Sequence, residues 1–164
     1  MFFARDETSA NRPLLVFVFI TLLVGASATF FTEPSIPTWY AALAKPGFSP
    51  PNWLFAPVWT TLYVLMGIAA ARVWKETGFG LEIRFWTAQL VLNFLWSAIF
   101  FAAHRIGAAL IEMGVLWLLI LATLVLFWRR DRIAGLLFVP YLAWVGFAFS
   151  LNLAIWRLNG GSGP

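Results

Sequence analysis

The stretch KPGFSPPNWLFAPVWTTLY, residues 45–63, places four prolines, two tryptophans and a tyrosine within nineteen residues. Each proline removes a backbone donor and fixes φ, so Pro50 and Pro51 predict a stiff, extended approach to the segment that follows. Asn52 is a candidate N-cap for a helix there, and Pro57, beyond the first turn, is expected to distort that helix. The stretch indicates a rigid lid whose aromatic side chains lie over the mouth of a bundle.

The remainder of the chain is strongly apolar. It has 164 residues, of which 62% are hydrophobic and 11% are charged, whereas soluble domains are about 45–50% apolar and about 25% charged. The length predicts a single domain over residues 1–164. Cysteine is absent from the sequence, which excludes disulfides, thiolate nucleophiles and sulfur metal sites. The composition therefore predicts an integral membrane protein.

Five stretches of 18 to 24 residues are long enough to cross a bilayer, which takes roughly 20 apolar residues. Because lipid offers the backbone no hydrogen bonds, runs of this length must be helices. The five stretches are 14–31, 53–73, 85–103, 106–128 and 133–156. We therefore predict an all-α membrane protein, a bundle of five transmembrane helices in which the proline- and aromatic-rich first loop, 32–52, acts as the lid.

The first stretch has a second interpretation. Ala26 and Ala28 are spaced as in a signal-peptidase site. Against cleavage, Asp6 and Glu7 lie among the cations that precede the stretch. The apolar run is also long for the apolar h-region of a signal peptide. These features favour a retained helix.

The cations predict the orientation of a multi-pass protein. Eight of the eleven belong to the N-terminus and to the second and fourth links, namely Arg5, Arg12, Arg72, Lys75, Arg84, Arg129, Arg130 and Arg132. The other three are Lys45, Arg105 and Arg157. The positive-inside rule then places the N-terminus in the cytoplasm and favours a bacterial cytoplasmic membrane, with an outer membrane as the alternative. The net charge of +4 is thus a topology signal, and we expect no binding of nucleic acid.

Three helices carry polar and aromatic residues at helical spacing, so that each set lies on one face. Carboxamides that face lipid are costly, and the three faces should therefore turn inward and meet. The sets are Phe55, Trp59, Tyr63 and Met66; Gln89, Asn93, Trp96, Ser97 and Phe100; and Tyr141, Trp144, Ala148, Asn152, Ile155 and Asn159. Two interpretations stay open: ordinary helix packing, and a cavity for a flat, mostly apolar ligand.

Other residues give weaker signals. His104, the only histidine, is more typical of a structural residue than of a catalyst; an axial haem ligand is the alternative, but we expect it at the membrane face opposite the lid. Glu112 is the one acid within a spanning segment, where acids are functional candidates. The small pairs Gly67/Ala71 and Ala103/Gly107 permit close helix approach, and a dimer seam is one use. No metal-ligand cluster or phosphate loop is present, so we predict no metal site.

Three motifs carry a family resemblance. They are WYAALAKPGFSPPNWLFAPVWTTLYVLMG at 39–67, AQLVLNFLWSAIFF at 88–101 and VPYLAWVGFAFSLN at 139–152. With them the chain resembles a bacterial-type member of the TspO/MBR family, also called the translocator protein, tryptophan-rich sensory protein or peripheral benzodiazepine receptor family. The resemblance spans the second to fifth helices, and the first helix carries little of it.

The resemblance implies a five-helix bundle, usually a homodimer in the bilayer, that binds tetrapyrroles such as porphyrin or haem beneath the first loop. It implies no obligatory cofactor. The ligand-binding residues that it implies are Tyr40, Pro50, Phe55, Trp59, Asn93, Phe100, Trp144 and Ala148. Where animal members have the tyrosine of a cholesterol motif, this chain has Leu153, which argues against high-affinity cholesterol binding.

The resemblance leaves the function between three hypotheses. The first is a receptor or sensor of porphyrin-type ligands, linked to tetrapyrrole homeostasis or stress signalling. The second is a transporter of tetrapyrroles or other small molecules. The third is an enzyme that degrades porphyrin with light and oxygen, for which Trp59 and Trp144 are the candidate catalytic residues. Whether the protein is an enzyme therefore stays open.

Overall fold

The computed structural model describes residues 7–161, with side chains from Asn11 onward. Its five long helices are α1 (Glu7–Thr32), α2 (Phe55–Thr77), α3 (Leu81–Ser97), α4 (Ile106–Arg130) and α5 (Arg132–Leu158). All five, with the short turns that extend α2 and α3, are long and apolar enough to cross a membrane, and the described residues form no strand. The predicted all-α fold is confirmed. Arg5, one of the cations used to predict orientation, lies outside the described residues.

The five helices form a closed ring. α1 packs on α2 and α3, α2 packs on α5, α5 on α4, and α4 on α3. Since successive helices run in opposite directions, the α2–α3 and α4–α5 connections lie at one end of the bundle. We call this the ion-pair end. The first loop, 33–51, lies at the other end with the α3–α4 connection and the end of α5, and we call that the lid end.

The helices extend beyond the apolar stretches of the sequence because the backbone hydrogen bonds continue into polar residues such as Lys75 and Glu76 at the end of α2. At its start, α2 is preceded by a 3₁₀ turn, Asn52–Leu54, and no side chain caps either element. The prediction that Asn52 is an N-cap is therefore wrong. Pro57 lies in the first turn of α2, where its missing donor costs little, so the irregular backbone is confined to the 3₁₀ turn.

Close approach of α1 and α2 depends on a glycine. A Cβ on Gly67 would lie 2.6 Å from the Cα of Val18, closer than side chains and backbone can approach. Gly67 is buried in this contact, and Ala71, one turn further along α2, is buried as well. The small pair that sequence patterns allow as a dimer seam is thus used within the chain, and α1 is packed as an integral part of the bundle.

Two ion pairs fasten the ion-pair end. Arg72 Nε lies 2.6 Å from Asp131 Oδ2, and Arg130 Nε lies 2.7 Å from Glu82 Oε1. Asp131 also caps α5, since its Oδ1 accepts hydrogen bonds from the backbone amides of Ile133 (2.8 Å) and Ala134 (3.2 Å). Burial would raise the pKa of Asp131, but the bonds from Arg72 and from these amides outweigh it and hold the pKa below its usual value.

The half of the bundle next to these ion pairs is filled by side chains. Small residues of α2 let the neighbouring helices approach, and larger residues of α4 and α5 fill the remaining space. The side chains with no exposed area there are Met66, Ala69, Ala70, Val73, Ile120, Phe127, Ala134 and Phe138. Dense packing of this kind resists deformation, and this half is therefore the rigid part of the fold.

Candidate functional site

A cavity of about 320 Å³ lies in the lid-end half of the bundle. Small-molecule sites typically enclose roughly 300–1,000 Å³. All five helices and the first loop contribute to its wall. Seven of the eight residues predicted as ligand-binding line it, namely Tyr40, Phe55, Trp59, Asn93, Phe100, Trp144 and Ala148. Pro50 is outside the lining, in the extended approach to α2; ligand binding by all eight stays a prediction.

Aromatic rings form much of the cavity wall. The Phe55 and Trp144 rings meet edge to face with centroids 5.9 Å apart, which joins α2 to α5. On α3, the Trp96 ring stacks on Phe100 at 5.0 Å with an interplanar angle of 20°. The ring centroids of Trp59 and Tyr63 are 5.7 Å apart. These rings hold one another by contacts that are each worth about 0.5–1.5 kcal/mol, so the wall is made of flat apolar surfaces in fixed positions.

A buried chain of hydrogen bonds closes the inner end of the cavity. The Tyr63 hydroxyl donates to Asn93 Oδ1 at 2.5 Å, and Asn93 Nδ2 donates to the Tyr141 hydroxyl at 3.0 Å. Tyr141 in turn donates to Gln89 Oε1 at 2.9 Å. These hydrogen bonds join α2, α3 and α5. Of the two roles that the sequence allows for Asn93, helix bridging is the one that the structure shows.

Other polar atoms of the cavity wall have no protein partner. Asn152 is 2% exposed, and neither its Oδ1 nor its Nδ2 has a hydrogen bond within residues 7–161. The indole N–H groups of Trp96 and Trp144 are buried and likewise unpaired within that part of the chain. All three residues line the cavity. Trp96 and Asn152 belong to the predicted faces but not to the predicted ligand-binding set.

The contribution of α1 to the cavity was missed by sequence reasoning. Gly25, Ala28, Thr29 and Thr32 line it, and a Cβ on Gly25 would lie 2.6 Å from Cδ2 of Tyr63. Only a glycine there lets the Tyr63 ring lie against α1. The signal was the run of small residues around Ala26 and Ala28, which also fits a cleavage site.

A π-helical turn, Ala98–Ala102, continues α3 toward the lid. Its wider winding is seen in the bond from the Ala103 amide to the Ala98 carbonyl, 2.9 Å. Both Phe100 and Phe101 are buried against the cavity as a result. Such turns occur frequently at functional sites, and here the turn supplies two adjacent rings to one wall.

The first loop, 33–51, covers the cavity and is held at two points. Ser35 Oγ donates to the Phe101 carbonyl at 2.7 Å. Near the other end, Asn159 accepts from the Ala44 amide at 3.1 Å and donates to the Ala44 carbonyl at 3.0 Å. Between them, Tyr40 is buried, and this burial raises the pKa of its phenol. The loop is therefore anchored to the π-helical turn after α3 and to the residue that follows α5, by hydrogen bonds that the sequence did not predict.

The position predicted for His104 is wrong. Its ring stacks on Trp39 with centroids 4.2 Å apart and an interplanar angle of 15°, so it lies at the lid end. The error has a simple cause, since the end of α3 returns to the membrane face from which the lid comes. Trp39 also meets Phe100 edge to face and thus packs within the lid, whereas Trp53 is 72% exposed, as an interfacial anchor would be.

Two further predictions from the sequence concern Glu112 and metal binding. Glu112 is half-buried on α4 outside the cavity lining, and its carboxylate oxygens have no hydrogen-bond partner in the described part of the chain. Among the described residues, no group of three or more histidines and acids is placed to bind a metal ion. A role for Glu112 stays a hypothesis.

Trp144 separates the cavity from the outer surface. It lines the cavity on one side, and on the other it borders an open apolar groove between α2 and α5 that includes Pro57, Val58 and Phe147. The indole is thus the partition between an internal space and a surface of the kind that faces lipid.

Five apolar helices around a cavity lined by aromatic rings define an integral membrane protein. The family model for the TspO/MBR family matches residues 17–157, and this chain belongs to that family. "Protein CrtK" of Rhodobacter capsulatus is 44% identical over 147 residues, which are 85% of this chain and 88% of that protein.

Two further relatives show how widely the similarity extends. "Tryptophan-rich protein TspO" of Archaeoglobus fulgidus is 43% identical over 150 residues, covering 89% of this chain and 96% of the relative. The human "Translocator protein" is 41% identical over 128 residues, covering 75% of this chain and 76% of the relative. The match in all three cases covers at least three quarters of both chains.

Proposed function

We propose that this protein is a membrane receptor or sensor that binds porphyrin-type tetrapyrroles in the cavity beneath the first loop. The observation that carries the proposal is the wall of flat rings, in which Trp59, Trp144 and Phe100 border one enclosed space. A planar conjugated ligand gains stacking and apolar contact on such surfaces. The names of the relatives, which include "Tryptophan-rich sensory protein", support a sensing role.

The test is a titration of the purified protein with protoporphyrin IX in detergent, followed by the Soret absorbance in the dark. We expect saturable binding in the wild type. Trp144→Ala should weaken it by roughly 1–3 kcal/mol, by analogy with base–aromatic stacking, which is a rise in Kd of about 5- to 150-fold. Absorbance of the ligand is preferred to tryptophan fluorescence because the variant removes a fluorophore.

Trp53→Ala is the matched control, since Trp53 is exposed and lines no part of the cavity. Trp117 is a poorer control because its indole N–H donates to the Leu142 carbonyl at 3.2 Å and so joins α4 to α5. Absence of saturation, or equal weakening by Trp144→Ala and Trp53→Ala, would contradict the proposal.

A second candidate function is oxidative breakdown of the bound porphyrin by light and oxygen. It is favoured by one observation: both tryptophans for which the resemblance implies this role, Trp59 and Trp144, line the same cavity. Illumination of the complex in air should then give a new product spectrum. Formation of the product should stop in the Trp59→Phe and Trp144→Phe variants; an unchanged rate there would rule these residues out.

We further propose that the ion-pair end lies in the cytoplasm and that the lid faces the opposite side. The predominance of cations at the ion-pair end supports this orientation. The absence of native cysteine allows a direct test with single-cysteine variants and a maleimide that does not cross membranes. Gly47→Cys in the lid should react in intact spheroplasts, and Glu76→Cys should react only after permeabilisation; the reverse pattern would contradict the proposal.

The proposed assembly is a homodimer in the bilayer. Gly67 and Ala71 are buried within a single chain, so the dimer contact must use other surfaces. Exposed apolar side chains on the outer faces of α1 and α4, such as Phe19, Phe30 and Ile111, are available for it. Sedimentation in detergent at matched density gives the protein mass; a mass of one chain at all concentrations would contradict the proposal.

A further inference from the structure

Two buried asparagines of the cavity wall, Asn93 and Asn152, differ in whether their side chains are hydrogen-bonded. Asn93 uses Oδ1 to accept from Tyr63 and Nδ2 to donate to Tyr141. Asn152, which is 2% exposed, makes no hydrogen bond to the described part of the protein with either atom. Buried carboxamides in native proteins are nearly always paired, and an exception calls for an explanation. One explanation is a ligand that supplies the missing partners.

The other unpaired groups of the wall point to the chemistry of that ligand. The indole N–H groups of Trp96 and Trp144 are donors only, and both are buried without a partner among residues 7–161. With the Asn152 amide they give the wall three donor groups that are fully buried and unpaired among the described residues, and the Asn152 oxygen is the one acceptor of the wall in that state. A matching ligand therefore presents mainly acceptor oxygens.

Charge excludes a simple ionic contact. The only acidic or basic residue in the described lining is Glu33, so no lysine or arginine is available there to pair with an anion. A carboxamide can instead form one donated and one accepted hydrogen bond with a carboxyl or amide group. Such a pair satisfies both atoms of Asn152 without a formal charge from the protein.

Helix α5 sets the distance between the Asn152 carboxamide and the Trp144 ring. Trp144, Ala148 and Asn152 are four residues apart on the same face of α5 and all line the cavity. Eight residues of α-helix span roughly 12 Å. A flat macrocycle that contacts Trp144 can therefore bring a polar group on its edge to Asn152.

We propose that Asn152 is the polar anchor of the site and that it binds a carboxyl or amide group on the edge of a flat, otherwise apolar ligand. The proposal rests on the proposed function, because it assigns a further contact within the same cavity. Trp144 supplies apolar surface in this arrangement, and Asn152 sets which edge of the ligand enters next to it.

Two porphyrins that differ in the relevant group give the test. Mesoporphyrin IX carries two propionic acid side chains, and etioporphyrin III has ethyl groups in their place. Wild-type protein and Asn152→Leu, which keeps the number and branching of the side-chain heavy atoms but removes the carboxamide, are titrated with both in the same detergent. We expect Asn152→Leu to weaken mesoporphyrin binding about tenfold, the effect of one or two hydrogen bonds, and to leave etioporphyrin binding unchanged. The ratio between variants cancels the different partitioning of the two compounds into micelles.

Met113→Leu is the control, because Met113 lines the cavity and the exchange is apolar and similar in volume. It should leave the ratio of the two affinities unchanged. An equal ratio in wild type and Asn152→Leu, with both porphyrins bound saturably, would overturn the anchor and leave the proposed function standing. If neither porphyrin bound saturably, both the anchor and the proposed function would be overturned.

Discussion

The two ends of the bundle differ in whether their polar side chains are paired within the protein. At the ion-pair end, Arg72 is paired with Asp131 and Arg130 with Glu82, and the space between the helices is filled. At the lid end the helices enclose a cavity of about 320 Å³, and Asn152, Trp96 and Trp144 keep buried polar atoms without protein partners. The Tyr63–Asn93–Tyr141 chain of hydrogen bonds is the boundary between the two.

The difference indicates that the two halves of the bundle have different roles. Paired charges and dense packing stabilise one half, and that stability allows the other half to keep a space and unsatisfied groups that a uniformly packed bundle would eliminate. Departures from good packing and pairing are expected at functional sites. Substitutions should therefore reduce folding stability most in the closed half and change ligand binding most in the open half.

The largest effect on stability is expected from Gly67→Leu. The new side chain would have to occupy the position of the Val18 backbone, so α1 would be forced away from α2, and the loss should exceed about 3 kcal/mol. Thermal unfolding in detergent measures it. Gly47→Leu is the control, because a Cβ there has nothing within 4 Å. Equal melting temperatures for the two variants would contradict the packing described for α1.

The next effect on stability compares the two buried asparagines of the cavity, Asn93 and Asn152. Asn93→Leu leaves the Tyr63 and Tyr141 hydroxyls without Asn93 as a partner and should cost about 1–3 kcal/mol. Asn152→Leu removes a carboxamide that has no partner in the described chain and should leave the melting temperature of the ligand-free protein unchanged or raise it. Two equally destabilised variants would show that Asn152 has a structural role.

A smaller effect concerns the ion pair of Asp131. Asp131→Asn keeps an N-cap for α5 but removes the charge that faces Arg72, and we expect a loss of about 1 kcal/mol or less, since Arg72 is well exposed. Because the pKa of Asp131 is lowered on folding, this stabilisation is present at neutral pH and is lost as the pH falls below about 4. The difference in stability between wild type and variant should therefore shrink on acidification; a constant difference would argue against the ion pair.

The smallest effect on stability is expected from Asn159→Ala, which removes both hydrogen bonds to Ala44 in the lid. The bundle should melt within a few degrees of wild type, while backbone amides in 41–51 exchange with deuterium faster. Thr60→Ala is a control, because the Thr60 hydroxyl bonds only to the Ala56 carbonyl of its own helix among the interactions of the described residues. Unchanged exchange in 41–51 would mean that this segment is held by other contacts of the lid and not by Asn159.

Much of this arrangement could be predicted from sequence because it follows from periodicity. The spacing of Trp59, Asn93 and Trp144 placed them on inward faces, and the lengths of the apolar runs gave the five helices. Contacts made between distant segments left no such trace. The bonds from Ser35 to Phe101 and from Asn159 to Ala44 join loops to helix ends, and the cavity wall from α1 depends on glycine and alanine residues that have no distinctive pattern.

The pairing state of Asn152 also could not be predicted. Sequence places Asn93 and Asn152 on equivalent inward faces of two helices, and the difference between them comes from the two tyrosines that reach Asn93. Tyr63 gains its place because Gly25 leaves room for the ring. Which carboxamide is satisfied is therefore a property of packing in three dimensions.

The decisive measurement is a structure of the protein with bound mesoporphyrin IX. We expect the macrocycle in the cavity between the lid and the Asn93 hydrogen bonds, with its face against Trp144 and a propionic acid group at Asn152. A macrocycle bound outside, in the groove between α2 and α5 next to Pro57 and Phe147, would contradict the assignment of the cavity as the ligand site.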